Sequence, residues 1–317
     1  MPLVPSDYVA PRLLRNGHLQ TIYGGRLRCV APVAYRRERI DTPDGDFLHL
    51  DWLRTGSDKL AILSHGLEGD TDRVYMRGMA TALRRAGWDV LAWNYRGCGG
   101  SPNRLLRAYH SGATDDLDLV VRHALPGYAS AALVGFSLGG NLTLKYLGER
   151  GDTLDPRIRR AVAFSTPCDL AAGARELEKP SNRLYTWYFL RTLKAKASEK
   201  AHRFPGCVDL TRIRAARTVY DFDDAFTAPI HGFGDAADYY RQCSCRHFIE
   251  GITVPTLLVN AANDPFLPEA CYPREEARQH PVFHLEIPDH GGHVGFVRFG
   301  SDGTYWSEAR TVAFLGA

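Results

Sequence analysis

The sequence predicts an α/β fold with a mostly parallel central sheet, helices on both faces and one helical insertion. Three observations carry this. Short apolar runs alternate with stretches of helical spacing from residue 47 to residue 165. The rhythm then breaks from Pro167 to about Glu250, in a helical and aromatic stretch that includes Leu184, Tyr185, Trp187, Tyr188, Phe189, Phe222, Phe226, Tyr239 and Tyr240. Strand and helix alternate again from Val254 to the end. Strands that alternate with helices form a parallel sheet covered on both faces. The organisation is therefore one domain over 1–317, with 167–250 inserted as a helical cap or lid.

The elements follow in order. Phe47–Leu53 alternates after the Asp44-Gly45 turn and reads as a strand. Leu60–Ser64 is a short apolar strand that runs into His65-Gly66. Arg73–Ala86 has helical spacing and closes at Gly87, a C′ glycine. Trp88–Asn94 is a strand ended by Arg96-Gly97-Cys98-Gly99-Gly100. Thr114 is placed to cap a helix over Asp115–Ala124, whose two leading acids suit the positive end of the helix dipole. A strand at 131–136, a helix at 138–149 and a strand at Arg160–Ser165 complete the first half. After the insertion come a strand at Val254–Asn260, a helix at Glu269–Gln279, a strand at Val282–Ile287 and a helix at Tyr305–Leu315.

The chain has 317 residues, 44% of them apolar and 24% charged, which supplies a sizeable core. A net charge of +3, spread along the chain, gives no electrostatic footprint for nucleic acid. The densest basic run, Lys194–Arg203, reads as a solvated helix face. Seven scattered cysteines argue for a reducing compartment without a disulfide framework. Cys243, Cys245 and His247 lack the two-residue gap of zinc knuckles and a second ligand pair, so no metal is expected. No segment approaches the ~20 apolar residues of a membrane span. Residues 1–20 carry no apolar signal core, so the expected location is cytoplasmic.

Gly135-Phe136-Ser137-Leu138-Gly139 lies directly after a strand and directly before a helix. That is G-x-S-x-G in the context of a nucleophile elbow, where the serine sits on a strained turn and projects from the top of the sheet. Gly135 and Gly139 then leave room where strand and helix cross. A serine hydroxyl needs a base, and the base an orienting acid. In this architecture the chain order is serine, acid, histidine. Asp264 follows an apolar strand, at the sheet end where open α/β folds hold their sites. His290 and His293 compete for the base. His293 is preferred, because two glycines precede it and apolar residues follow it. Oxyanion donors are expected from the backbone N–H groups of Leu67 and Leu138. His65 is read as an anchor of its turn, Arg96 as a residue that fixes loops, and Asp221, Asp223 and Asp224 as caps of a lid helix or turn.

With these motifs the chain resembles the α/β-hydrolase superfamily, and within it the YheT-like esterases. The resemblance rests on Asn16-Gly17-His18-Leu19-Gln20-Thr21, His65-Gly66-Leu67-Glu68-Gly69, Asn94-Tyr95-Arg96-Gly97, Gly135–Gly140, Asn263-Asp264-Pro265-Phe266 and Gly291–Phe296. It implies a Ser137–Asp264–His293 charge relay and carboxylic-ester hydrolysis. Eukaryotic relatives act on medium-chain acyl esters, monoacylglycerols or phospholipids, and some transfer the acyl group to alcohols. The expected partner is a small-molecule acyl ester, with transient lipid contact through the lid and no cofactor. Thioesterase or peptidase activity would use the same machinery. A silent hydrolase fold used as a binding module would lack a triad member, and none is lacking here.

Overall fold

The structure is a computed structural model that describes residues 3–300 and 303–316. Among these residues nine strands form one sheet: β1 (Leu3–Val4), β2 (Arg36–Asp41), β3 (Phe47–Leu53), β4 (Lys59–Ser64), β5 (Asp89–Asn94), β6 (Ser130–Phe136), β7 (Ile158–Phe164), β8 (Thr256–Val259) and β9 (Phe283–Glu286). Their spatial order is β1-β9-β8-β7-β6-β4-β5-β3-β2. Only β3 runs against its neighbours, β2 and β5. The remaining pairs are parallel. Every residue of β5 and β8 is buried, as strands covered on both faces require.

One face of the sheet is covered by the helices Thr114–Ala124 and Leu138–Arg150, which bury Leu117, Val121, Leu142 and Leu147. The other is covered by Val74–Arg85 and Trp306–Gly316, which bury Met76, Met79, Leu83 and Trp306. Register brings strand ends level: Ser64 lies opposite Gly135, Phe136 opposite Phe164, and Phe164 opposite Val259. The chain therefore leaves β4, β6, β7 and β8 at one level along the carboxyl end of the sheet, where ligand crevices of open α/β sheets form.

Two expectations are corrected, and two strands, β1 and β2, are added to those expected. Ala113, not Thr114, occupies the cap position, and the Thr114 hydroxyl instead donates to Glu149 at 2.6 Å. The helix expected over Glu269–Gln279 is split into a 3-10 turn, Glu269–Cys271, and a helix, Arg274–Gln279, because Pro273 disfavours helical backbone in the residue before it. The first two strands carry no apolar alternation: β2 reads Arg-Arg-Glu-Arg-Ile-Asp with only Ile40 buried, as befits a charged edge.

Between β7 and β8 the chain is helical: Leu170–Leu177, Arg183–Arg203, Leu210–Ala215, Val219–Phe222, Ala228–His231 and Ala236–Cys243, then the 3-10 segment Cys245–Gly251. Its aromatics build local apolar clusters, Phe222 and Phe226 with Leu190 and Ile213, and Tyr239 and Tyr240 with Leu170 and Ala174.

Arg96 ties the early loops together, as read from the sequence. Its buried guanidinium grips Asp116 with two bonds of 2.7 and 2.8 Å and reaches Asp44 at 2.8 Å and Asp46 at 3.3 Å. Removing one partner of such a cluster strands the others as buried charges. Arg96→Met is expected to cost about 3–5 kcal/mol in urea unfolding, whereas a loss under 1 kcal/mol would show that water takes over the carboxylates.

Candidate active site

Ser137 sits between β6 and the helix Leu138–Arg150 with φ 54° and ψ −119°. This left-handed backbone is costly for a residue with a Cβ and aims the side chain out of the turn. The turn closes only without neighbouring side chains. A Cβ on Gly139 would lie 2.5 Å from the His65 carbonyl oxygen and closer still to that of Ser64. One on Gly135 would lie 2.6 Å from the Gly139 carbonyl carbon.

Ser137 Oγ is 2.9 Å from His293 Nε2. His293 Nδ1 faces both Asp264 carboxylate oxygens, at 2.9 and 3.1 Å. Nδ1–H donates to the carboxylate, so Nε2 is left to accept the serine proton. The Asp264 side chain is fully buried and also accepts the Phe266 N–H at 2.9 Å. The His293 loop is held from three sides. Its own N–H donates to Thr21 Oγ1 at 2.8 Å, the Val294 N–H donates to Ser165 Oγ at 2.9 Å, and the Phe266 ring lies 4.3 Å from the imidazole. Thus the structure brings together Ser137, Asp264 and His293. His290 stands apart, its ring beside the Asn263 amide at 3.4 Å. Thr21, Ser165 and Phe266 were not assigned roles from the sequence. Thr21 and Phe266 lie in the quoted motifs, but a lone hydroxyl or ring carries no spacing signal.

The turn after β4 is fixed atom by atom. Tyr95 OH donates to the His65 carbonyl at 2.6 Å, the Gly66 N–H donates to Tyr75 OH at 2.9 Å, and the Glu68 N–H donates to Tyr109 OH at 3.0 Å. His65 is buried, faces the Gly66 carbonyl through Nδ1 at 2.8 Å and receives the Tyr95 N–H on Nε2. Burial pulls its pKa down to about 3, so the ring is neutral, as an anchor should be. The Leu67 N–H and the Leu138 N–H, the latter at the start of its helix, meet no acceptor among the described residues.

A cavity of about 340 Å3 opens beside Ser137, Leu138, Leu67 and His293. Its walls are mostly apolar, with Leu170, Ala174, Phe189, Leu193, Phe222 and Phe266 among them. Lys196 and Lys200 also line it, which corrects the reading of 194–203 as a solvated face. Lys196 Nζ binds Glu68 Oε1 at 2.9 Å. Buried Lys200 binds Asn103 Oδ1 at 2.6 Å and the carbonyls of Leu105 and Arg107. Burial lowers its pKa to about 8, against the opposing pull of the Asp46 carboxylate. Asp221 does cap, in a reciprocal box with Thr218. Asp224 accepts the Ala236 N–H at 3.1 Å, at the start of the helix Ala236–Cys243, and pairs with Arg212. Asp223 does not cap. It lies in the cavity wall, accepting from Thr227 Oγ1 at 2.6 Å and Tyr240 OH at 2.7 Å, and burial pushes its pKa up to about 6.

The family profile described as "alpha/beta hydrolase fold" matches residues 61–298. The chain is 36% identical over 300 residues to "Putative esterase YheT" of Escherichia coli (strain K12), covering 92% of this chain and 87% of that one. It is 30% identical over 308 residues to "Phospholipase ABHD3" of Homo sapiens, covering 93% and 75%. Among solved structures, the Pyrococcus furiosus esterase Pf2001 superposes with a TM-score of 0.58 at 18% identity, over 92% of this chain and 96% of that one.

Asp223 sets a pH dependence. Its folded pKa of about 6 lies above the ordinary carboxylate value of 3.8. The folded chain therefore holds that proton longer, and stability falls as pH rises from about 4 to about 6. The full effect is about 3 kcal/mol. Asp223→Asn cannot ionise, so its stability relative to the parent is expected to rise by up to about 3 kcal/mol between pH 4 and pH 7. Urea unfolding of both chains at the two pH values measures this, and an unchanged difference would refute the assignment.

Proposed function

Since the chain belongs to the α/β-hydrolase family, in its YheT-like branch, we propose that it is a serine esterase that cleaves carboxylic esters through an acyl-enzyme. The observation that carries this is the continuous hydrogen-bonded line Asp264–His293–Ser137 at 2.9 Å per step. His293 takes the Ser137 proton as Oγ attacks the ester carbonyl. Asp264 keeps the proton on Nδ1 and stabilises the imidazolium. The Leu67 and Leu138 N–H groups receive the oxyanion, and the dipole of the helix Leu138–Arg150 favours negative charge at its start. His293 then protonates the leaving alcohol and activates the water that clears the acyl group.

The reading extends to the substrate and the insertion. Residues 167–250 act as a lid whose underside receives the acyl chain, supported by the apolar wall that Leu170, Phe189, Leu193 and Phe222 contribute. A lipid ester as acyl donor is the second reading. It is favoured by the same wall and by the relative named as a phospholipase.

The Ser137→Ala chain should lose both labelling by a fluorophosphonate probe and the acylation burst with a p-nitrophenyl ester. Full activity in that variant would end the proposal. Asp264→Asn should lower kcat by about 10⁴, because the imidazole then holds the wrong tautomer. Rates on a series of p-nitrophenyl esters should rise with acyl length and then fall once the cavity is filled. A flat profile would remove the acyl-pocket reading and leave the triad untouched.

A further inference from the structure

Among the described residues, the large apolar side chains most open to water are confined to three segments. Residues 9–29 expose Val9, Leu13, Leu19, Ile22 and Leu27. The helix Arg183–Arg203 exposes Leu184 and Trp187, and the loop after His293 exposes Phe299. The values are large: 63% for Leu27, 57% for Trp187 and 63% for Phe299. Soluble surfaces rarely gather such residues without a partner.

The three segments meet. The His18 and Tyr185 rings stack with centroids 5.8 Å apart, the Arg26 guanidinium lies 4.7 Å from the Tyr188 ring centre, and Tyr23 meets Phe299 edge-on at 5.8 Å. They form one face beside the proposed catalytic centre, joined to it ring by ring through Tyr185, Phe266 and His293.

Charge identifies what this face suits. The whole chain is nearly balanced, with 39 Lys and Arg against 36 Asp and Glu. Yet residues 9–29, 183–198 and 290–300 contain no aspartate or glutamate. Arg12, Arg15, Arg26, Arg183, Arg191 and Arg298 are exposed and form no ion pair among the described residues. Arg28 is the exception, neutralised by Glu308 at 2.5 Å. Apolar side chains ringed by unpaired arginines match an anionic bilayer surface: the side chains enter the acyl boundary while the guanidiniums stay among the phosphates. A second copy of the same face would set arginine against arginine.

We propose that this face docks the protein on anionic lipid bilayers. No helix among the described residues is long and apolar enough to cross a bilayer.

The test is flotation of the full chain with vesicles. The chain should float with mixed phosphatidylglycerol and phosphatidylcholine vesicles at low salt, and stay behind with phosphatidylcholine alone. The triple variant Leu27→Glu, Trp187→Glu, Phe299→Glu should bind anionic vesicles at least about tenfold more weakly. So should Arg26→Glu with Arg191→Glu. Both should keep the parent rate on a soluble short-chain ester, which shows that they fold. Ser137→Ala should float like the parent, so docking is read independently of the proposed chemistry. No flotation with anionic vesicles, or flotation that neither variant weakens, overturns the proposal. So does a solution dimer, without vesicle binding, that the triple variant splits into monomers.

Discussion

The structure depends on one close backbone approach at the centre of the sheet. The helix Leu138–Arg150 begins against the carbonyls of Ser64 and His65 at the end of β4, and against the end of β6. That distance is open only to residues without a Cβ, and Gly135 and Gly139 supply them. It determines three things together. It forces Ser137 into a left-handed backbone, it buries the helix on almost every side from Leu138 to Leu147, and it sets the Leu67 turn beside the helix start. Strand register does the rest, since loops leaving level strand ends need little length to converge.

Strain collects at the same place. The non-glycine residues at positive φ among those described are Glu68, Ser137, Ser165, Val294 and Phe296. Each such backbone costs of order 1–3 kcal/mol. All five belong to the loops that hold the serine, the histidine and the turn after β4. The cost is sustained by hydrogen bonds that leave these loops no alternative: Tyr109 OH both accepts the Glu68 N–H and donates to its carboxylate, and Ser165 Oγ receives the Val294 N–H. A turn held this tightly can present free N–H groups without relaxing to satisfy them.

Much of this was legible in the sequence because the signals are local. Strands buried on both faces read as apolar runs. The elbow reads as two glycines around a serine, and the order of acid and histidine follows from the fold. What was not legible depends on neighbours distant in the chain. Thr114 has the chemistry of a cap, but Glu149, 35 residues away, takes its hydroxyl. β2 has charged residues on its open edge and so no alternation to detect. Asp223 resembles its neighbours Asp221 and Asp224 in sequence, yet Thr227 and Tyr240 draw it into the cavity wall. Lys196 and Lys200 look like any solvated pair one turn apart, and only the loops at 68 and 103–107 draw them inward, Lys196 in part and Lys200 fully.

Those two lysines give the helix Arg183–Arg203 a double allegiance. One stripe of it contacts the core through Lys196 on Glu68, Lys200 on Asn103, and Arg203 on the Asn103 carbonyl at 2.8 Å. Leu184 and Trp187, nearer its start, face water. Glu68 follows Leu67 directly, so Lys196 fastens the helix to the turn that offers the Leu67 N–H. The helix that exposes Trp187 therefore also supplies Phe189 and Leu193 to the cavity wall, so its two faces serve different surroundings along one continuous element.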